Sequence, residues 1–168
     1  FLKNYYLQVR DEEGRLIPLV ACLGNHETQK GYQQPRESAP FFFAMFDGLF
    51  QGGGHGVLDF GDYLSLVLLD SGHTTPVAGE QTSWLEQTLK QREECPNLFV
   101  AYHVPCYPSV RPYDLTDPEK TVGFDSRKFW VPLFERYNVD AVLEHHDHTF
   151  KRTVPLISSS FDKNGIVY

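Results

Sequence analysis

Residues 97–103 read NLFVAYH, a short apolar run of strand-forming residues closed by a histidine. Its neighbours decide what kind of sheet it joins. Upstream, residues 80–92 (EQTSWLEQTLKQR) place Trp84, Leu85, Thr88 and Leu89 at helical spacing, one apolar stripe on a polar helix. Downstream, residues 126–137 (SRKFWVPLFERY) repeat the pattern at Phe129, Trp130, Leu133, Phe134 and Tyr137, with Pro132 expected to bend or tighten the first turns. Residues 139–145 (VDAVLEH) then read as another strand, and residues 63–70 (YLSLVLLD) as one that precedes the first helix. Strands alternating with helices predict an α/β domain with a largely parallel sheet, and leave a mixed sheet open.

The same reading extends to both ends. Residues 16–24 (LIPLVACLG) form a nearly continuous apolar run that ends on glycine, which predicts a further buried strand. Before it lie the tail of an amphipathic helix (FLKNYYLQV) and a polar turn (DEEGR). Residues 28–56 show no clear period and hold Phe41, Phe42, Phe43 and Phe46 among their aromatics and the glycine hinge QGGGHG, so a long irregular excursion is expected there. The last residues, NGIVY, read as a turn and the start of a strand. Because the chain opens on Phe and closes inside that strand, it is expected to be an interior piece of a longer protein.

Composition narrows the function classes. The 168 residues suit one domain, and 41% hydrophobic with 22% charged residues is ordinary for a chain with a packed core. A net charge of −7 without a basic stripe argues against stable nucleic-acid binding. No apolar run approaches the roughly 20 residues of a membrane span. Cys22, Cys95 and Cys106 form neither a CxxC pair nor a disulfide framework and are read as structural. A small anionic substrate fits only if something local and strongly positive, such as a pair of metal ions, overrides the acidic surface.

Three predicted strands finish in histidine: GNHE follows the first, AYH closes the third and HHDH follows the fourth. Open α/β sheets bind ligands outside the carboxyl ends of their strands, where such clusters converge. If residues 143–148 stayed extended, His146 and His148 would point to one side and suit one metal or a close pair. GNHE at 24–27, VAYH at 100–103 and HxH at 146–148, in that order, resemble the later motifs of calcineurin-like metallophosphoesterases, and most of all the purple acid phosphatase group. The flanking LDSG, EQTSWLEQTL and HTFKRTVPL are similar to that group's usual surroundings, so the likeness covers essentially the whole chain.

The resemblance implies an αββα sandwich, incomplete at both ends here, with residues 1–168 as the interior and C-terminal part of one metallophosphoesterase domain. It implies two metal ions, iron, zinc or manganese. Asn25, His103 and His146 would hold one and His148 the other, while His26 would donate a hydrogen bond to the substrate phosphate and a proton to the leaving oxygen. Imidazole and an amide carbonyl are suitable donors for such ions, and a metal pair about 3.5–4 Å apart clamps a phosphoryl group and activates water. The implied reaction is hydrolysis of phosphomonoesters by metal-bound hydroxide. The alternatives are a phosphodiesterase or nucleotidase of the same superfamily, or a catalytically silent metal-binding or interaction module. On location, the resemblance leans toward export.

The family's two earlier motifs, which supply the first carboxylate and the bridging one, have no counterpart in the chain. GDYL at 61–64 imitates one but follows GNHE and lacks the final acid or tyrosine. Four neutral ligands leave two adjacent dications uncompensated, so an upstream segment is expected to supply the aspartates, or else this piece binds metal weakly or singly. His145 stands where the pattern has glycine, which predicts a steric cost at that position. Among the remaining candidates, Glu27 reads as a ligand-orienting group or a turn cap, and Tyr107 and Tyr113 as contacts for substrate. Trp84 and Trp130 are expected in the core. His55 and His73 read as ordinary histidines.

Overall fold

The computed structural model describes residues 2–29, 31–50, 52–112 and 116–168; Tyr113 lies outside them. Four strands form one mixed sheet: β1 (Gly56–Phe60), β2 (Leu64–Leu68), β3 (Leu98–Tyr102) and β4 (Ala141–Glu144) lie in chain order, β1 antiparallel to β2 and the other three parallel. The helix predicted over 80–92 is α3 (Glu80–Lys90), and it carries the chain from β2 to β3. The second crossover holds two short helices, α4 (Phe124–Phe129) and α5 (Val131–Arg136), rather than one. Pro132 is the cause: it lacks the N–H that a continuous helix would bond to the carbonyl of residue 128. Right-handed crossovers between sequential parallel strands put both connections on one sheet face.

Register divides the core in two. Val67, Val100 and Val142 align across the parallel strands, and their row packs under Leu85 and Leu89 of α3 and Trp130, Leu133 and Phe134 of the second crossover. One residue on, Leu68 and Ala101 face the opposite side with Leu23, Ala39, Phe42, Phe43 and Phe50. Phe42 and Phe43 belong to α2 (Pro40–Phe46), a helix inside the stretch expected to be irregular. Phe42, Phe43 and Phe46 share its covered face while Phe41 points to solvent, a spacing too brief over seven residues to announce a helix.

Two expectations about strands need correction. Residues 17–24 form no ladder with any described residue; they run across the second sheet face, where Leu23 is buried and Cys22 Sγ donates to the Ala101 carbonyl at 3.2 Å. An apolar run that covers a sheet and one that joins it have the same composition, which is why the reading failed. The strand β1 was missed because GVLDF begins on glycine, alternates poorly and carries Asp59. That carboxylate is taken up by Ser65 Oγ at 2.8 Å and by Arg92 through Nε at 2.8 Å and Nη2 at 2.7 Å. GDYL supplies the turn between β1 and β2 and the first residue of β2, as its rejection as a metal motif implied.

In place of the expected last strand, Ile166 and Val167 make isolated bridges. β5 (Leu156–Ile157) and β6 (Ser160–Phe161) make a small hairpin, and Val167 accepts from Val142 N at 2.9 Å beside β4. The N-terminal helix is α1 (Leu2–Gln8). Among the described residues, no helix is long and apolar enough to cross a membrane.

Candidate metal centre

The carboxyl ends of β2, β3 and β4 open on one edge, and each hands the chain to a loop bearing polar side chains. His103 follows β3 directly. The turn at 25–27 brings Asn25 over it, so that His103 Nε2 lies 2.8 Å from Asn25 Oδ1 and 3.0 Å from His146 Nδ1. Gly24 makes this approach possible: a Cβ there would stand 2.9 Å from His103 Nδ1 and 3.0 Å from Glu27 Oε2. Glu27 caps its own turn, accepting from Gly24 N at 2.9 Å.

The end of β4 departs from the extended path on which the shared orientation of His146 and His148 depended. The ladder continues one step, with His145 N donating to the His103 carbonyl at 3.1 Å, and then the chain bends through 146–149. His146 takes φ = 65°, so the left-handed residue is His146 and not His145, where glycine had been expected. A bulky side chain in that region costs of order 1–3 kcal/mol, and such strain gathers at functional sites. The bend turns His146 toward His103 and leaves His148 exposed. His26 is exposed as well, close enough to His103 for its charge to be felt there. Three of the five predicted site residues therefore meet within hydrogen-bond distance, and two flank them.

Burial holds these imidazoles neutral. The His103 pKa is pushed down to about 3, first by desolvation and then by His73, His146, His145 and His26. His146 is lowered by burial and by the charge of Arg111. Neutral imidazoles keep the lone pairs a metal needs, and an amide oxygen beside two such nitrogens suits a borderline ion. The convergent set thus fits one ion. Among the described residues, no three His, Cys, Asp or Glu side chains gather as a metal-holding group, and no carboxylate joins the cluster.

Behind the cluster lies a residue that sequence reasoning passed over. His73 is fully buried, its ring centroid 5.4 Å from that of His103, with Nδ1 3.2 Å from Asp70 Oδ1 and Nε2 without a partner. Asp70 also accepts from the backbone N–H of His73, Thr74 and Thr75, which fixes the loop after β2. Gln81 of α3 clamps both backbone groups of Asp70 at 2.9 Å. The signal was present as Asp and His three apart at a strand's carboxyl end, but nothing local distinguishes that from a turn. His55 stays away from the cluster, its ring 4.5 Å from that of Trp84. Tyr107 packs on Tyr168 at 4.7 Å and bonds Ser159 at 3.1 Å. Burial raises the thiols of Cys22, to about 12, and Cys106, as inert structural cysteines require.

A family model described as calcineurin-like phosphoesterase matches residues 1–150. A solved structure of the purple acid phosphatase PPD1 from yellow lupin (Lupinus luteus) seeds is similar at 17% identity with a TM-score of 0.67, covering 90% of this chain and 30% of that one. The chain thus spans under a third of that enzyme's length, and the likeness is one of fold. No curated protein matches the chain.

Proposed function

The chain belongs to the calcineurin-like phosphoesterase family, and from that premise we propose that it serves metal-dependent hydrolysis of phosphomonoesters. The observation that carries the reading is the convergence of Asn25 Oδ1, His103 Nε2 and His146 Nδ1 within 2.8–3.0 Å contacts, from loops far apart in sequence. Asn25, His103 and His146 would hold one ion and His148 a second, the pair being iron, zinc or manganese. Bound ions supply Lewis-acid stabilisation of phosphoryl charge and lower the pKa of water.

In the hydrolysis, the phosphorus–oxygen bond to the alcohol breaks as one to a water oxygen forms, and the departing oxygen needs a proton. We assign that proton to His26, which is exposed and near enough to His103 for its charge to be felt there. The neutral state of His103 and His146 supports their role as donors to a metal rather than as acids.

The test is hydrolysis of p-nitrophenyl phosphate by the purified full chain, with and without a chelator, beside His26→Ala and His103→Ala. Chelation and both substitutions should abolish turnover. Activity that survives chelation and the His26 change would reject the reading. Adding bis-p-nitrophenyl phosphate separates the phosphodiesterase alternative.

A second reading, a metal-binding module without turnover, draws on one observation: no carboxylate enters the convergent set among the described residues. Zinc bound without hydrolysis of either ester would favour it.

A further inference from the structure

The loop after β3 returns to the bend after β4 and lays Arg111 against it. Arg111 Nη2 donates to the His146 carbonyl at 3.3 Å. Its Nε faces Asp147 Oδ1 at 3.4 Å, an ion pair without hydrogen-bond geometry, so that both atoms are buried and neither has a hydrogen-bond partner. Asp147 spends its other oxygen on the loop itself, accepting from Ser109 N at 2.7 Å, Val110 N at 3.0 Å and Ser109 Oγ at 3.4 Å. The guanidinium is therefore aimed by charge and by one carbonyl, with most of its five donors uncommitted and its side chain 39% exposed.

Other cations nearby are already engaged. Lys151 is locked to the buried Glu144 and to the Tyr107 carbonyl. Arg127 donates to the carbonyls of Cys106 and Val122. Arg111, by contrast, lies against the bend that carries His146, and its charge reaches Tyr32, where it opposes the upward shift that burial imposes on the phenol. Tyr32 stacks on His73 at 4.8 Å, and His73 in turn lies against His103.

A planar fork of donors beside neutral imidazoles, in a chain of net charge −7, has a chemical match in a phosphate group, which it can grip by two parallel hydrogen bonds. We propose that Arg111 is the anion-binding arm of this site, gripping the non-bridging oxygens of a phosphate ester seated over Asn25, His103 and His146. Asp147 holds the guanidinium in place until the phosphate arrives. The proposal rests on the phosphoesterase reading for its substrate. Its competitor is a structural pin in which Arg111 only ties the 146–149 bend to the preceding loop.

The experiment compares wild type, Arg111→Ala, Arg111→Gln and Arg111→Lys as metal-loaded full chains, by calorimetric titration with inorganic phosphate and by steady-state hydrolysis of p-nitrophenyl phosphate. The Ala and Gln variants should bind phosphate roughly 10- to 100-fold more weakly than wild type and show a KM for the ester raised by a similar factor, with a smaller change in kcat. Lys should restore part of the affinity, and millimolar guanidinium should rescue the Ala variant. Unchanged phosphate affinity in both neutral variants would overturn the proposal, and so would a fall in kcat and metal content with phosphate affinity intact, which is what a pin predicts. If wild type binds phosphate but turns nothing over, the phosphomonoesterase reading fails on its own, while phosphate lost from the Ala and Gln variants still upholds Arg111. Phosphate bound by none of the four chains overturns it.

Discussion

His103 is the residue on which the site turns, since it touches both other donors through one nitrogen. The glycine beneath it is therefore a positioning element. Gly24→Ala should push the ring from its seat, weakening zinc binding at least tenfold while far-ultraviolet circular dichroism stays unchanged; a competitive zinc titration checks this. The same imidazole couples folding to pH. In the unfolded chain it takes a proton near its ordinary value of 6.5, whereas in the folded chain it does so only near 3. The unfolded state binds more protons in that window, so this contribution to stability is complete above 6.5 and lost as pH falls toward 3. Metal-free protein should melt at progressively lower temperature between pH 6.5 and about 5, above most carboxylate titration, and His103→Gln should flatten that slope. The motif histidines themselves were legible. The conformation of His146 was not, because φ at a bend is set by where the chain must go next and not by the residue that occupies it.

Elements differ in how openly they declare themselves. α3 carries one apolar stripe on a polar helix, and Leu85 and Leu89 are buried as the spacing required. α2 is seven residues long, and its apolar spacing at Phe42, Phe43 and Phe46 is too brief to declare a helix until a sheet face covers it. This difference has a measurable side. Leu89→Ala should cost about 2–5 kcal/mol, through lost transfer energy and a cavity that the neighbours cannot fill. Phe41→Ala, at a side chain 85% exposed, should stay within about 0.5 kcal/mol. Urea midpoints at constant slope compare the two. The run at 17–24 shows the limit of local reading: its apolar residues called for burial, and covering a sheet satisfied that need as well as joining one.

Across the whole molecule, the end of β4 is pinned by a buried charge network. Glu144 accepts from Tyr102 Oη at 2.8 Å and from Cys106 N at 2.5 Å, and pairs with Lys151, so one carboxylate joins β3, β4 and the segment that leads to β5. Breaking such a pair leaves an uncompensated buried charge. Glu144→Ala should destabilise the chain by about 3–5 kcal/mol, and the double change Glu144→Ala with Lys151→Met should recover part of it, both read by denaturant unfolding. The α/β class, α3, the helical character of the second crossover, three of the four sheet strands and the histidine motifs that follow β3 and β4 were determined by the sequence alone, because side-chain period and strand-end chemistry are local properties. Which donors meet was decided only by tertiary structure. Asn25 and His103 are 78 residues apart, and His103 and His146 are 43 apart. The adjacency of β3 and β4, the bend after His145 and the return of Arg111 bring these groups together, and no local pattern encodes a contact whose partners are joined only by the sheet.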